Sequence, residues 1–109
     1  MACELKVQYK QPADVLYYDV SFSRFLASYG NDTIASVAVL VDGVAVPASG
    51  PGLHGPTGKA PSAVQSGKVA RAWFAGGVVD TDYRVSVRVT TVGDLVKEYD
   101  FVVAVRDGV

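Results

Sequence analysis

One histidine, His54, and one cysteine, Cys3, set the first limit on the chemistry this chain can perform. His54 lies in Leu53-His54-Gly55. With no second imidazole there is no histidine pair for a metal, and with no second thiolate neither a thiolate zinc site nor an intrachain disulfide can form from this chain alone. The expectation is therefore a solvent-exposed loop histidine. A Ser-His-Asp relay would have to recruit His54 with one of several serines, but no Gly-x-Ser-x-Gly elbow occurs and Asp80 and Asp82 sit in a turn. Gly50-Pro51-Gly52 and Gly76-Gly77 lack the spacing with which glycine loops cradle phosphates at a helix start. Asp80, Asp82, Asp94 and Asp100 do not make the alternating run, closed by a distal glutamate, that a calcium loop needs. Asn31-Asp32-Thr33 fits the glycosylation triplet and reads as a turn. Trp73, beside Phe74, could offer a stacking surface to sugars or bases, but a tryptophan in a central strand is ordinarily core. These residues point to no catalytic group, no cofactor and no metal, so the chain reads as non-enzymatic.

One constellation carries structural meaning. Gly76-Gly77-Val78-Val79-Asp80-Thr81-Asp82-Tyr83 places a glycine turn before a tyrosine that opens an alternating strand. This is the layout of a tyrosine corner, in which the phenol packs under the turn and its hydroxyl bonds to upstream backbone. Gly77 and Tyr83, with Trp73 as a core anchor, are the expected structural residues.

The elements that must position these residues are strands. Tyr83, Val85, Val87 and Val89 alternate with Arg84, Ser86, Arg88 and Thr90, the pattern of a strand wet on one face. Gly93-Asp94 turns the chain into Leu95 to Val105, where Leu95, Tyr99, Phe101, Val103 and Val105 share a face, so a long antiparallel hairpin is expected. Ala35 to Val41 places Val37, Val39 and Val41 on one side and runs into Asp42-Gly43, a pair that tolerates positive φ, with Val44 to Val46 returning. Val15 to Phe22, with Leu16, Tyr18, Val20 and Phe22 inward, adds a strand. Lys68 to Phe74 adds another, and Glu4 to Tyr9 adds an edge strand. Ser23 to Ala27 fits one helical turn capped by the Ser23 hydroxyl. The expected fold is all-β, an immunoglobulin-like antiparallel sandwich of about seven strands, forming one domain over residues 1–109.

The stretch from Pro47 to Gly67 departs from this pattern. It holds four of the five prolines and five of the eleven glycines, with Leu53 and Val64 as its only large apolar residues. Such a composition predicts a long loop outside the core, used for binding or left solvated. Pro47, Pro51, Leu53, His54, Pro56 and Pro61 are its candidate contact residues.

Composition narrows the partner class. Ten basic and eleven acidic residues give a formal charge of −1 on 109 residues, so no long-range field is available to hold nucleic acid or an anionic membrane. No apolar run approaches the roughly 20 residues of a membrane span, and the first residues, Met1 to Leu5, show no basic-then-apolar leader. Cytosolic synthesis without secretion is expected.

Two groups of segments resemble a known family. The first is Lys10-Gln11-Pro12-Ala13-Asp14 leading to Tyr18-Asp19-Val20-Ser21-Phe22-Ser23, then Leu26 and Asn31 to Ser36. The second is Trp73 with Gly76-Gly77, Asp82-Tyr83-Arg84-Val85, the Val89-Thr90-Thr91-Val92-Gly93 turn and Phe101-Val102-Val103. Together they resemble the small fibre-tail adaptor proteins of tailed bacteriophages. The stretch from Pro47 to Gly67 is longer and richer in proline than that pattern. The resemblance implies a virion structural protein, made in the bacterial host cytoplasm and present in several copies, that joins fibres or spikes to the tail or head. Its partners would be other tail, fibre or capsid proteins. Capsid decoration is an alternative, and so is a carbohydrate-binding module in which Trp73, Tyr29 or His54 would line a groove.

Overall fold

The computed structural model describes residues 6–47, 49–50 and 52–108, and its secondary structure is almost entirely strand. In chain order the elements are β1 (Lys6–Lys10), β2 (Leu16–Ser21), α1 (Ser23–Ala27), β3 (Ile34–Val41), β4 (Val44–Ala45), β5 (Leu53–His54), β6 (Ser62–Val64), β7 (Val69–Gly76), β8 (Thr81–Thr91) and β9 (Val96–Val105). Five strands form one sheet in the order β1-β9-β8-β3-β4. The second sheet runs β2-β7-β5, with β6 also paired to β7. The expected sandwich is present, with two more short strands than the sequence pattern announced.

The β8–β9 hairpin is its spine. Thr81 to Thr90 pair continuously with Val105 back to Val96. The inward row Tyr83, Val85, Val87 and Val89 is buried throughout, facing the same core as Phe101, Val103 and Val105. On the wet side the same alternation pairs Arg88 with Glu98 and Arg84 with Asp100, both at the surface. β3 joins the other side of β8, and the Asp42–Gly43 turn carries positive φ at both residues. Asp42 fastens this turn to β8: its N–H donates to the Arg84 carbonyl (2.8 Å) and its carboxylate accepts the Arg84 N–H (3.0 Å).

Four details depart from expectation. β1 runs parallel to β9, with Lys6 opposite Phe101 and Lys10 opposite Val105, so the sheet is not antiparallel throughout. The register puts Lys6, Gln8 and Lys10 on the side of the second sheet, with Lys10 buried, Gln8 half-buried and Lys6 still exposed, and leaves Val7 and Tyr9 outside, Tyr9 being 59% exposed. Leu16, expected inward, is exposed at the end of β2, whereas Val20 and Phe22 enter the core. α1 forms where expected, but Phe22 is its N-cap and no side chain caps it; Ser23 is already helical. The upstream residues Glu4 and Leu5 of the expected edge strand lie outside the described residues.

The stretch from Pro47 to Gly67 is not wholly outside the core. Leu53 is 1% exposed and belongs to the main apolar cluster. It lies opposite Gly76, whose missing side chain leaves room for the His54 ring and the Gly52 carbonyl. β5 pairs with the C-terminal end of β7 and β6 with its N-terminal half, so the chain returns to the same strand twice.

Candidate interaction surfaces

Three regions carry the candidate residues. At one end of the sandwich the corner residues meet. Val78 N–H donates to Tyr83 Oη over 2.9 Å, and Tyr83 is buried. Gly77 has φ +103°, and a Cβ there would stand 2.7 Å from Val105 Cγ2, so both conformation and space call for glycine. His54 is half-buried in β5 instead of lying free in a loop, and its Nδ1 is 3.0 Å from the Gly52 carbonyl oxygen. Lys10, 1% exposed, reaches the same end and donates to the carbonyls of Gly76 (2.6 Å) and Gln11 (2.8 Å). Burial lowers the Lys10 pKa below the ordinary lysine value, and the Asp14 charge opposes that shift.

The second region is the outer face of β2 and β7. Ala70, Ala72 and Phe74 occupy the inward positions of β7, so Trp73 faces out and is only half-buried, contrary to the expected core tryptophan. It lies directly across from Tyr17, with ring centroids 4.9 Å apart. Each ring carries a cation: Lys59 Nζ is 4.5 Å from the Trp73 centroid, and the Arg71 guanidinium is 4.0 Å from that of Tyr17. Arg71 also makes a two-pronged pair with Asp19, at 2.8 and 3.0 Å. Lys59 belongs to the arch between β5 and β6, whose exposed crest is Thr57 to Ala60, flanked by the half-buried Pro56 and Pro61. Pro47 is exposed at the first foot, and its carbonyl accepts the Gly55 N–H (2.9 Å); Pro51 lies outside the described residues. The structure thus brings Lys59 and Trp73 together. Tyr29 packs instead on Phe25 beside α1, at 5.1 Å.

The third region was not picked out from the sequence. Where β1 and β2 form the neighbouring edges of the two sheets among the described residues, a cleft of about 250 Å³ opens, lined by Lys6 and Gln8 of β1, Tyr18 to Ser21 of β2, and Tyr99 and Phe101 of β9. Tyr18 packs against Phe74 and Phe101, both at 5.8 Å, while its buried hydroxyl has no hydrogen-bond partner among the described residues. Burial, with the Asp14 charge second, raises the Tyr18 pKa. The signal in the sequence was the odd parity of polar Lys6, Gln8 and Lys10, but without the pairing partner their direction could not be read.

Among the described residues no three His, Cys, Asp or Glu side chains come together as a metal site. Among the described residues no helix is long and apolar enough to cross a membrane. These surfaces offer contact area, paired charges and strand edges.

No curated protein matches the chain. A family model does, over residues 10–104, and that span takes in the corner, the arch and every strand but β1, of which it reaches only Lys10. Its family is described as podophage GP4 fiber-tail adaptor protein gp77, and the chain belongs to that family.

Proposed function

We propose that this chain is a non-enzymatic virion component that joins a fibre to the tail, acting as one folded unit present in several copies. The family is one of structural phage adaptors and not an enzyme class. The observation that carries the reading is the arch. Its feet, β5 and β6, are both hydrogen-bonded to β7, while Thr57 to Ala60 stand exposed between them. A segment held at both ends loses less conformational entropy on docking than a free loop, which suits a joining surface. Pro47, Pro56 and Pro61 stiffen it further, and Leu53 anchors it in the core.

The test is capture of the fibre and tail proteins encoded beside this chain by the purified wild-type protein and by a variant with Thr57 to Ala60 replaced by glycine and serine. Capture by the wild type and a large loss in the variant support the reading; equal capture removes the arch from it, and no capture by the wild type removes the adaptor role.

A second reading, sugar binding, draws on one observation: Trp73 lies outside the core beside Tyr17, which is 45% exposed. A sugar would have to displace Lys59 from the indole. Unchanged tryptophan fluorescence across a glycan panel would discard it.

A further inference from the structure

We infer that the cleft between β1 and β2 receives an extended segment of a virion partner, added as a strand to the free edge of β2, with an acidic side chain turned inward toward Lys6. This rests on the adaptor reading for the identity of the partner, and on the cleft alone for its chemistry.

Three observations support it. First, among the described residues β2 ends its sheet and pairs with β7 over six unbroken residues, so the edge it leaves open is regular. Exposed edges are ordinarily blunted by proline, a bulge or an inward charge. β1 has that guard in Lys6, whereas β2 has no proline, no shift of register, and its one charge, Asp19, is engaged by Arg71. An unguarded regular edge is the template for strand addition.

Second, a strand laid along β2 would turn alternate side chains into the cleft, whose 250 Å³ exceeds what single waters require, about 10–15 Å³ each by this measure. Third, the cleft presents polar groups without partners. Tyr18 Oη is buried and unpaired among the described residues, and the exposed Lys6 and half-buried Gln8 line the same space without a bond to any described residue. With Asp19 paired, the charge left uncompensated in the lining is that of Lys6. A carboxylate would answer the ammonium and accept from the Tyr18 hydroxyl, relieving a polar group that burial otherwise penalises.

The test uses the full chain and two synthetic octapeptides of alternating threonine and valine, one with aspartate at a central position and one with lysine there. The expected result is slowed amide exchange at Tyr18 to Ser21 and affinity at least about threefold higher for the aspartate peptide, a preference lost in Lys6→Ala. Equal affinities, or protection absent from β2, would overturn the inference. In a parallel arm, the fibre and tail proteins encoded beside this chain are captured with wild type, Lys6→Glu and, as a charge control on the opposite sheet face, Arg88→Glu. Loss confined to Lys6→Glu supports the cleft, while undiminished capture by Lys6→Glu overturns it and leaves the adaptor reading standing. Absence of capture by the wild type counts against the adaptor reading, and the peptides then still decide the cleft.

Discussion

The backbone N–H of Val78 points at the hydroxyl oxygen of Tyr83, 2.9 Å away and five residues further along the chain. This bond ties the turn after β7 to the first buried rung of β8, so the passage from one sheet to the other is fixed by a side chain as well as by the turn itself. Tyr83→Phe keeps the ring and removes the acceptor. It should cost about 0.5–1.5 kcal/mol in urea denaturation, with unchanged dependence on denaturant. Loss of less than about 0.3 kcal/mol would mean that water replaces the hydroxyl at no cost.

Leu53 and Trp73 exchange the roles their residue types imply. Leu53→Ala, in a buried site against Gly76, should cost about 2–5 kcal/mol. Trp73→Ala, at a half-exposed position, loses the Tyr17 contact and the Lys59 cation and should cost about 1–2 kcal/mol. The order of the two midpoints under the same denaturant checks the assignment of inner and outer faces.

Asp32 organises the opposite end of the sandwich. Its carboxylate accepts the N–H groups of Thr33 (2.8 Å) and Gly93 (3.0 Å), tying the turn before β3 to the β8–β9 turn. The Thr91 hydroxyl bond first, then the Thr33 amide, hold its pKa below the ordinary aspartate value. A depressed folded pKa means that the unfolded chain takes up the proton first as pH falls. The contribution is therefore fully present above the ordinary aspartate value of about 3.9 and is lost as pH falls through the lower folded value. Asp32→Asn should lower the melting temperature at pH 7, and the gap to wild type should narrow as pH falls below about 4. A gap independent of pH would remove the charge from the account.

Lys10 gives the opposite end of the pH scale. Because burial lowers its pKa, the unfolded chain holds the proton more tightly than the folded one, so this group's contribution rises as pH increases toward the ordinary lysine value of about 10.5. Comparison of wild type with Lys10→Met at pH 8 and pH 10 should show wild type gaining relative to the variant. The subtraction cancels Tyr18, whose raised pKa acts in the reverse sense at high pH.

Strands whose two faces differ in polarity were legible from sequence. Tyr83 to Thr90 alternates so regularly that its inner face and its hairpin with β9 follow from period alone. β7 was harder, because its inner positions are Ala70, Ala72 and Phe74, and alanine carries little hydrophobic signal. Arg71, which shares the parity of Trp73, was the residue that could have turned the tryptophan outward. β1 was unreadable in direction because a parallel edge strand takes its facing from β9, a partner some ninety residues away. Leu53 was hidden by its neighbours: proline and glycine around it announce a loop, and only the pairing of β5 with the end of β7 carries it into the core. The open cleft depends on two edges standing side by side, a relationship of sheets that no local pattern encodes.

β5 and β6 stand on the same strand, with seven residues from Gly55 to Pro61 spanning between them. The span's length is thereby uncoupled from the register of either sheet. Lengthening it changes only the closure of a loop already pinned, at about 0.6 kcal/mol for each doubling. The crest is thus a place where foreign sequence can be inserted at little thermodynamic cost, so a tag placed between Thr57 and Ala60 would alter what the arch presents to a partner and leave the folded frame unchanged.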